Sequence, residues 1–164
     1  MNKQVKMSEL STLMTEALEK GGEVILTVTG TSMQPLLHHR RDKVCLVKVN
    51  EHGLKKYDLP LFIRPDGKYV LHRIVEVRWP GYVTMGDNRR TAEYPVLPSQ
   101  IVAVVKGFWR NGRYISCEGF GYQIYSRLWV SLYPLRRLCL KRKWFLINGV
   151  RLFMHRNGDK NNEG

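Results

Sequence analysis

Gly30-Thr31-Ser32-Met33-Gln34-Pro35 comes directly after an alternating apolar stretch, Val24, Leu26 and Val28. A serine at this place sits on a tight turn with its hydroxyl open to approach. Neighbouring backbone N–H groups can then face an oxyanion, the stabilisation acyl transfer most needs. Pro35 stiffens the exit from the turn. The plainer reading is a serine that caps a helix. A serine nucleophile also needs a base within hydrogen-bond reach. His38 and His39 fall in a basic loop, His52 in a polar connection and His155 near the C-terminus. His72 differs, because it interrupts the apolar run from Tyr69 to Val75. An imidazole there must find a polar partner or border a cleft. The competing reading is a core histidine satisfied by backbone.

The elements that must carry these residues are short. Residues 8–20 read as one helix with Leu10, Leu13, Met14, Ala17 and Leu18 on one face, ended by Gly21-Gly22. Alternation then predicts strands over 23–29, 43–49, 59–64, 68–78 and 81–85, with a loop over 86–98. Two further strands, 101–109 and 113–116, follow it. Asp66-Gly67 and Asn111-Gly112 are hairpin turn pairs. Many short strands with frequent turns predict a mainly β, antiparallel domain over residues 1–118 with a short N-terminal helix. Residues 119–164 read as a basic, helical C-terminal extension in which Pro134 makes a break.

Charge and cysteines narrow the function classes. The chain has 164 residues and a net charge of +13, with 43% hydrophobic and 25% charged residues. From Gly107 onward there are 11 Lys and Arg against 3 Asp and Glu. Residues 122–155 mix Trp129, Trp144, Phe145 and many leucines with Arg127, Arg136, Arg137 and Lys141–Lys143. That composition suits an anionic membrane surface, or equally a helix whose apolar side covers the β domain. Cys45, Cys117 and Cys139 are odd in number and widely spaced, which argues against a disulfide framework or a zinc site. No metal and no cofactor is expected. No signal peptide or spanning segment is visible, so the expected location is cytoplasmic, with peripheral membrane contact through 122–155. Nucleic-acid binding is permitted by the charge but has no accompanying motif.

Taken in order, Gly30-x-Ser32-Met33-x-Pro35, His72-Arg73 in an apolar strand, and Gly86-Asp87-Asn88 resemble the successive boxes of the type I signal peptidases. More broadly they resemble the superfamily shared with the LexA-type self-cleaving repressors. Ser32 to His72 is 40 residues and His72 to Asp87 another 15. Arg41-Asp42-Lys43-Val44 and Tyr57-Asp58-Leu59-Pro60 are similar to intermediate strands of that family. The resemblance covers about Val24 to Gly107. It implies a β-rich peptidase fold and a serine nucleophile at Ser32. Most members use a lysine base, whereas Leu71-His72-Arg73-Ile74 is similar to the histidine version of the endoplasmic-reticulum type. The histidine-type relatives have an aspartate a few residues past the Gly-Asp-Asn box, where this chain has Glu93. Glu93 is the expected orienter of His72, and Asp87 the alternative acid or a loop-structuring residue. Gly30, Thr31, Met33 and Pro35 are the expected oxyanion and substrate-binding positions. The membrane anchor usual in the family is not seen in this sequence, and the repressors' DNA-binding domain has no room before Gly30.

The leading expectation is therefore a serine endopeptidase acting on an extended leader or signal-like peptide. The alternative is a peptidase-fold binding module, weak or inactive in catalysis, that docks on a membrane surface or a partner.

Overall fold

A computed structural model describes residues 7–134. The chain divides into two compact units, Met1–Arg127 and Leu128–Gly164. The first extends past the composition break near Gly119, because Tyr122 and Ser126 of the following helix are buried. Residues 135–155 of the expected extension, with Cys139 and His155, lie outside the described residues.

The first unit is mainly β and antiparallel, with a short helix before the strands and another after them. Helix α1 spans Met7–Glu19. It stops where Gly21 takes a left-handed φ of 77° and the Gly22 N–H donates to the Ala17 carbonyl, a glycine-dependent stop. Strands β1 (Val24–Thr27), β2 (Lys43–Val47), β3 (Pro60–Ile63) and β4 (Tyr69–Leu71) join the long β8 (Ile101–Arg110) in the order β1-β2-β8-β3-β4. Strand β9 (Arg113–Ser116) returns on β8 through Asn111-Gly112, both with positive φ, as that turn pair requires. A second sheet has the order β5-β6-β7, from Arg73–Arg78, Gly81–Met85 and Glu93–Val96. Helix α2 spans Phe120–Ser131, ending ahead of Pro134.

Two departures from the sequence reading matter for the site. The stretch 68–78 is two strands, not one. Tyr69–Leu71 pairs with β3 in the larger sheet, while Arg73–Arg78 pairs with β6 in the smaller. His72 is the single residue between them. The expected loop 86–98 contains β7, an edge strand that carries Pro95. An edge position tolerates the missing N–H of a proline.

Two apolar clusters hold these sheets. The larger gathers Met14 and Leu18 of α1, Leu36 and Leu37, Val44 and Leu46, and Phe108. The smaller gathers Leu54, Phe62, Ile74, Tyr82 and Val96. Phe62 and Ile74 come from different sheets, so this cluster fastens one sheet to the other around His72.

Candidate active site

The Ser32 turn is fixed from both ends. Gly30 has φ 84° with open space where a Cβ would stand, so the backbone angle rather than crowding calls for glycine. Its N–H donates to His39 Nδ1 at 2.9 Å. Beyond Ser32, Met33, Leu36 and Leu37 are buried in the larger cluster. Met33 is thus a core anchor by its side chain, and only its backbone faces the turn. Pro35 is exposed. The Ser32 carbonyl accepts from the Asn88 N–H at 2.7 Å, and the Thr31 carbonyl from Asn88 Nδ2 at 3.3 Å. The Gly86-Asp87-Asn88 segment therefore lies directly against the serine turn.

His72 meets the same segment from the other side. A Cβ at Gly86 would stand 2.7 Å from the Ser32 carbonyl oxygen and 2.9 Å from His72 Nε2. The two atoms lie within the sum of those distances of each other, and only a glycine fits between them. The Nδ1 side of the ring faces Glu93, whose Oε1 is 2.9 Å away. That oxygen sits off the line of the ring N–H, so the contact is a close approach of a carboxylate to the ring rather than an aligned hydrogen bond. Arg64 grips the same carboxylate at two points, 2.6 and 2.5 Å. The edge of Phe62 closes the ring's apolar side, with centroids 6.1 Å apart.

Burial dominates the electrostatics. His72 is 3% exposed, and burial pushes its imidazole down to about 4. Glu93 pulls in the opposite direction, while Arg64 and Arg89 add to the depression. At neutral pH the ring is neutral and able to accept a proton. Burial would raise the Glu93 carboxyl, but the Arg64 guanidinium and then His72 hold it below the usual carboxylate range. Nδ1 thus faces a carboxylate, while Nε2 lies against Gly86, across which stands the Ser32 backbone carbonyl.

Asp87 has a different job. Its two oxygens accept from Arg73 Nε and Nη2 at 2.9 and 2.8 Å. Arg73 is fully buried, and its Nη1 also donates to Ser126 Oγ at 2.8 Å and to Tyr122 Oη at 3.0 Å. Burial alone would ease the guanidinium's proton off, yet the Asp87 carboxylate keeps Arg73 charged. The pair ties the Gly86–Asn88 segment to β5 and to the first turns of α2. Sequence reasoning missed three of these partners, Arg64, Tyr122 and Ser126. Nothing in their local pattern marks them, since their roles come from long-range contacts.

An apolar groove of about 230 Å³ runs beside the site. Leu26, Val28 and Thr29 line it from the β1 side, and Tyr69 and Leu71 from β4. Leu46 and Leu61 are also among its walls. β1 and β4 are the two end strands of the larger sheet. The groove thus lies between two strand edges, one leading to Ser32 and the other ending at His72.

Cys45 and Cys117 are held toward the protonated, unreactive thiol. Burial pushes their thiols up to about 11 and about 12. Among the described residues no group of three His, Cys, Asp or Glu side chains is placed to hold a metal, and no helix is long and apolar enough to cross a membrane. A scan against protein-family models finds none that matches the chain, and a search of curated proteins finds no match.

Proposed function

We propose that this protein is a serine endopeptidase of the signal-peptidase type. The observation that carries the reading is the convergence at Gly86, with the Ser32 carbonyl on one side and His72 Nε2 on the other, while Glu93 backs Nδ1. In this mechanism Ser32 Oγ attacks a peptide carbonyl as Nε2 takes its proton. The imidazolium then passes that proton to the leaving amine. Water repeats the sequence on the acyl-enzyme. Backbone N–H groups of the Ser32 turn hold the oxyanion. Glu93 stabilises the imidazolium, and Arg64 holds Glu93 ionised and in place.

The substrate is an extended segment of a leader or signal-like peptide, lying in the groove and pairing with the strand edges. The alternating apolar lining from Leu26 and Val28 on one side and Tyr69 and Leu71 on the other favours apolar side chains at every second position. A mixed quenched-fluorescence peptide library tests the activity. Cleavage by the wild type that disappears in both Ser32→Ala and His72→Ala supports it. Cleavage that persists in either variant sinks it.

A second reading, a binding module of the same fold, draws on the Arg64 grip, which engages both Glu93 oxygens and leaves His72 only a misaligned contact. A fluorophosphonate probe that fails to label Ser32 in folded protein favours that reading.

A further inference from the structure

Helix α2 has one side packed on the β domain and another that faces water. Tyr122 and Ser126 are buried, where they meet Arg73. Phe120 and Ile124 are 82% and 42% exposed, and the four-residue spacing continues at Leu128, 55% exposed. Positions four apart stack on one helix face, so these side chains form a row rather than scattered surface residues. A row of large apolar side chains held in water points to a partner.

The charge of the sequence that follows the row says what kind. Glu118 and Asp159 bracket a stretch of the sequence with no acidic residue and eight arginines and lysines, beginning at Arg127. Trp129, Trp144 and Phe145 fall within it. An apolar groove on another protein would accept the row but gives no reason for so one-sided a charge. A nucleic acid would accept the charge but gives no reason for Ile124 and Leu128. A bilayer with anionic headgroups accepts both, taking apolar side chains at the acyl boundary and cations at the phosphates.

We propose that the exposed row of α2, starting at Phe120 and Ile124, docks on an anionic phospholipid bilayer. The apolar residues supply insertion, and the basic sequence that follows supplies selectivity for negative headgroups.

The test is co-sedimentation of the full-length protein with vesicles. One set is equimolar phosphatidylglycerol and phosphatidylcholine, and the other is phosphatidylcholine alone. Binding to the anionic set should exceed the neutral set by at least about tenfold and fall as salt is raised. Phe120→Ser with Ile124→Ser removes no charge and changes only exposed positions. It should weaken partitioning by at least about tenfold with circular dichroism and thermal melting unchanged. Wild-type protein that ignores the anionic vesicles overturns the proposal, as does a double variant that binds as well as wild type. A second copy of the chain as occupant would appear as a dimer in analytical ultracentrifugation that the double variant dissolves, without vesicle binding, and that also overturns it. Ser32→Ala should bind vesicles as wild type does, so docking and proteolysis fail or succeed separately.

Discussion

The depressed imidazole of His72 makes a linked prediction for stability and activity. Burial holds its proton affinity down to about 4 in the folded protein, whereas in the unfolded chain it titrates near the ordinary value of about 6.5. Between those values the unfolded state binds more protons, so stability falls as pH falls through the window. Working the linkage for one group between pH 7 and pH 5 gives a loss of about 2 kcal/mol. Glu93, whose folded carboxyl is lowered, loses its contribution only at still lower pH and does not disturb this interval. The assay is urea unfolding at pH 7 and pH 5 for wild type and His72→Gln. The wild type should lose about 2 kcal/mol more than the variant over that interval. In parallel, the acidic limb of kcat/KM on a cleaved peptide should fall near pH 4 rather than near 6.5. A limb at the ordinary histidine value, or equal pH dependence of stability in wild type and His72→Gln, would refute a buried neutral base.

Other substitutions test the supporting parts. Glu93→Gln removes the charge that raises the His72 imidazole and leaves Arg64 and Arg89, which lower it. The acidic limb should move lower still while kcat drops by roughly a hundredfold or more, measured as a full pH–rate profile. Gly86→Ala puts a methyl into the gap between Ser32 and His72 and should cost about 10²-fold in kcat through misplacement alone, with urea unfolding read alongside. Arg73→Met leaves the Asp87 carboxylate buried without its guanidinium, and urea unfolding should show a loss of about 3–5 kcal/mol. Asp87→Leu added to it should recover part of that loss. In a Cys139→Ser background, iodoacetamide at neutral pH should leave Cys45 and Cys117 unmodified in folded protein and label both in urea, as mass spectrometry would record.

The residues proposed to react are more legible than the residues that support them. Ser32 and His72 stand out because each is polar where the local pattern is apolar or tightly turned. Glu93 was reachable only by its position after Gly86-Asp87-Asn88, and the structure brings it to His72 Nδ1. Most strands follow from alternation, but the division of 68–78 does not. No turn former separates Leu71 from Arg73, so a continuous apolar pattern conceals a change of sheet. Strand β7 was hidden by Pro95, whose usual message is that no strand continues. The buried Arg73 reads in sequence as an ordinary charged neighbour of His72. Its role comes from Asp87, Tyr122 and Ser126, far away along the chain.

The change of sheet at His72 divides the proposed machinery by its mooring. The nucleophile's turn is anchored in the core of the larger sheet, Glu93 belongs to the smaller one, and the imidazole is strung between them. Catalytic competence is then a matter of registry between two separately hydrogen-bonded layers. A local opening of β5–β7 would carry off the acid, tilt the base and withdraw the Asn88 N–H from the Ser32 carbonyl, leaving the serine turn held only by its own buried Met33, Leu36 and Leu37. A sub-global opening of this kind would be a reversible off-state reached more readily than global unfolding, and hydrogen exchange in β6 would count how often the molecule visits it.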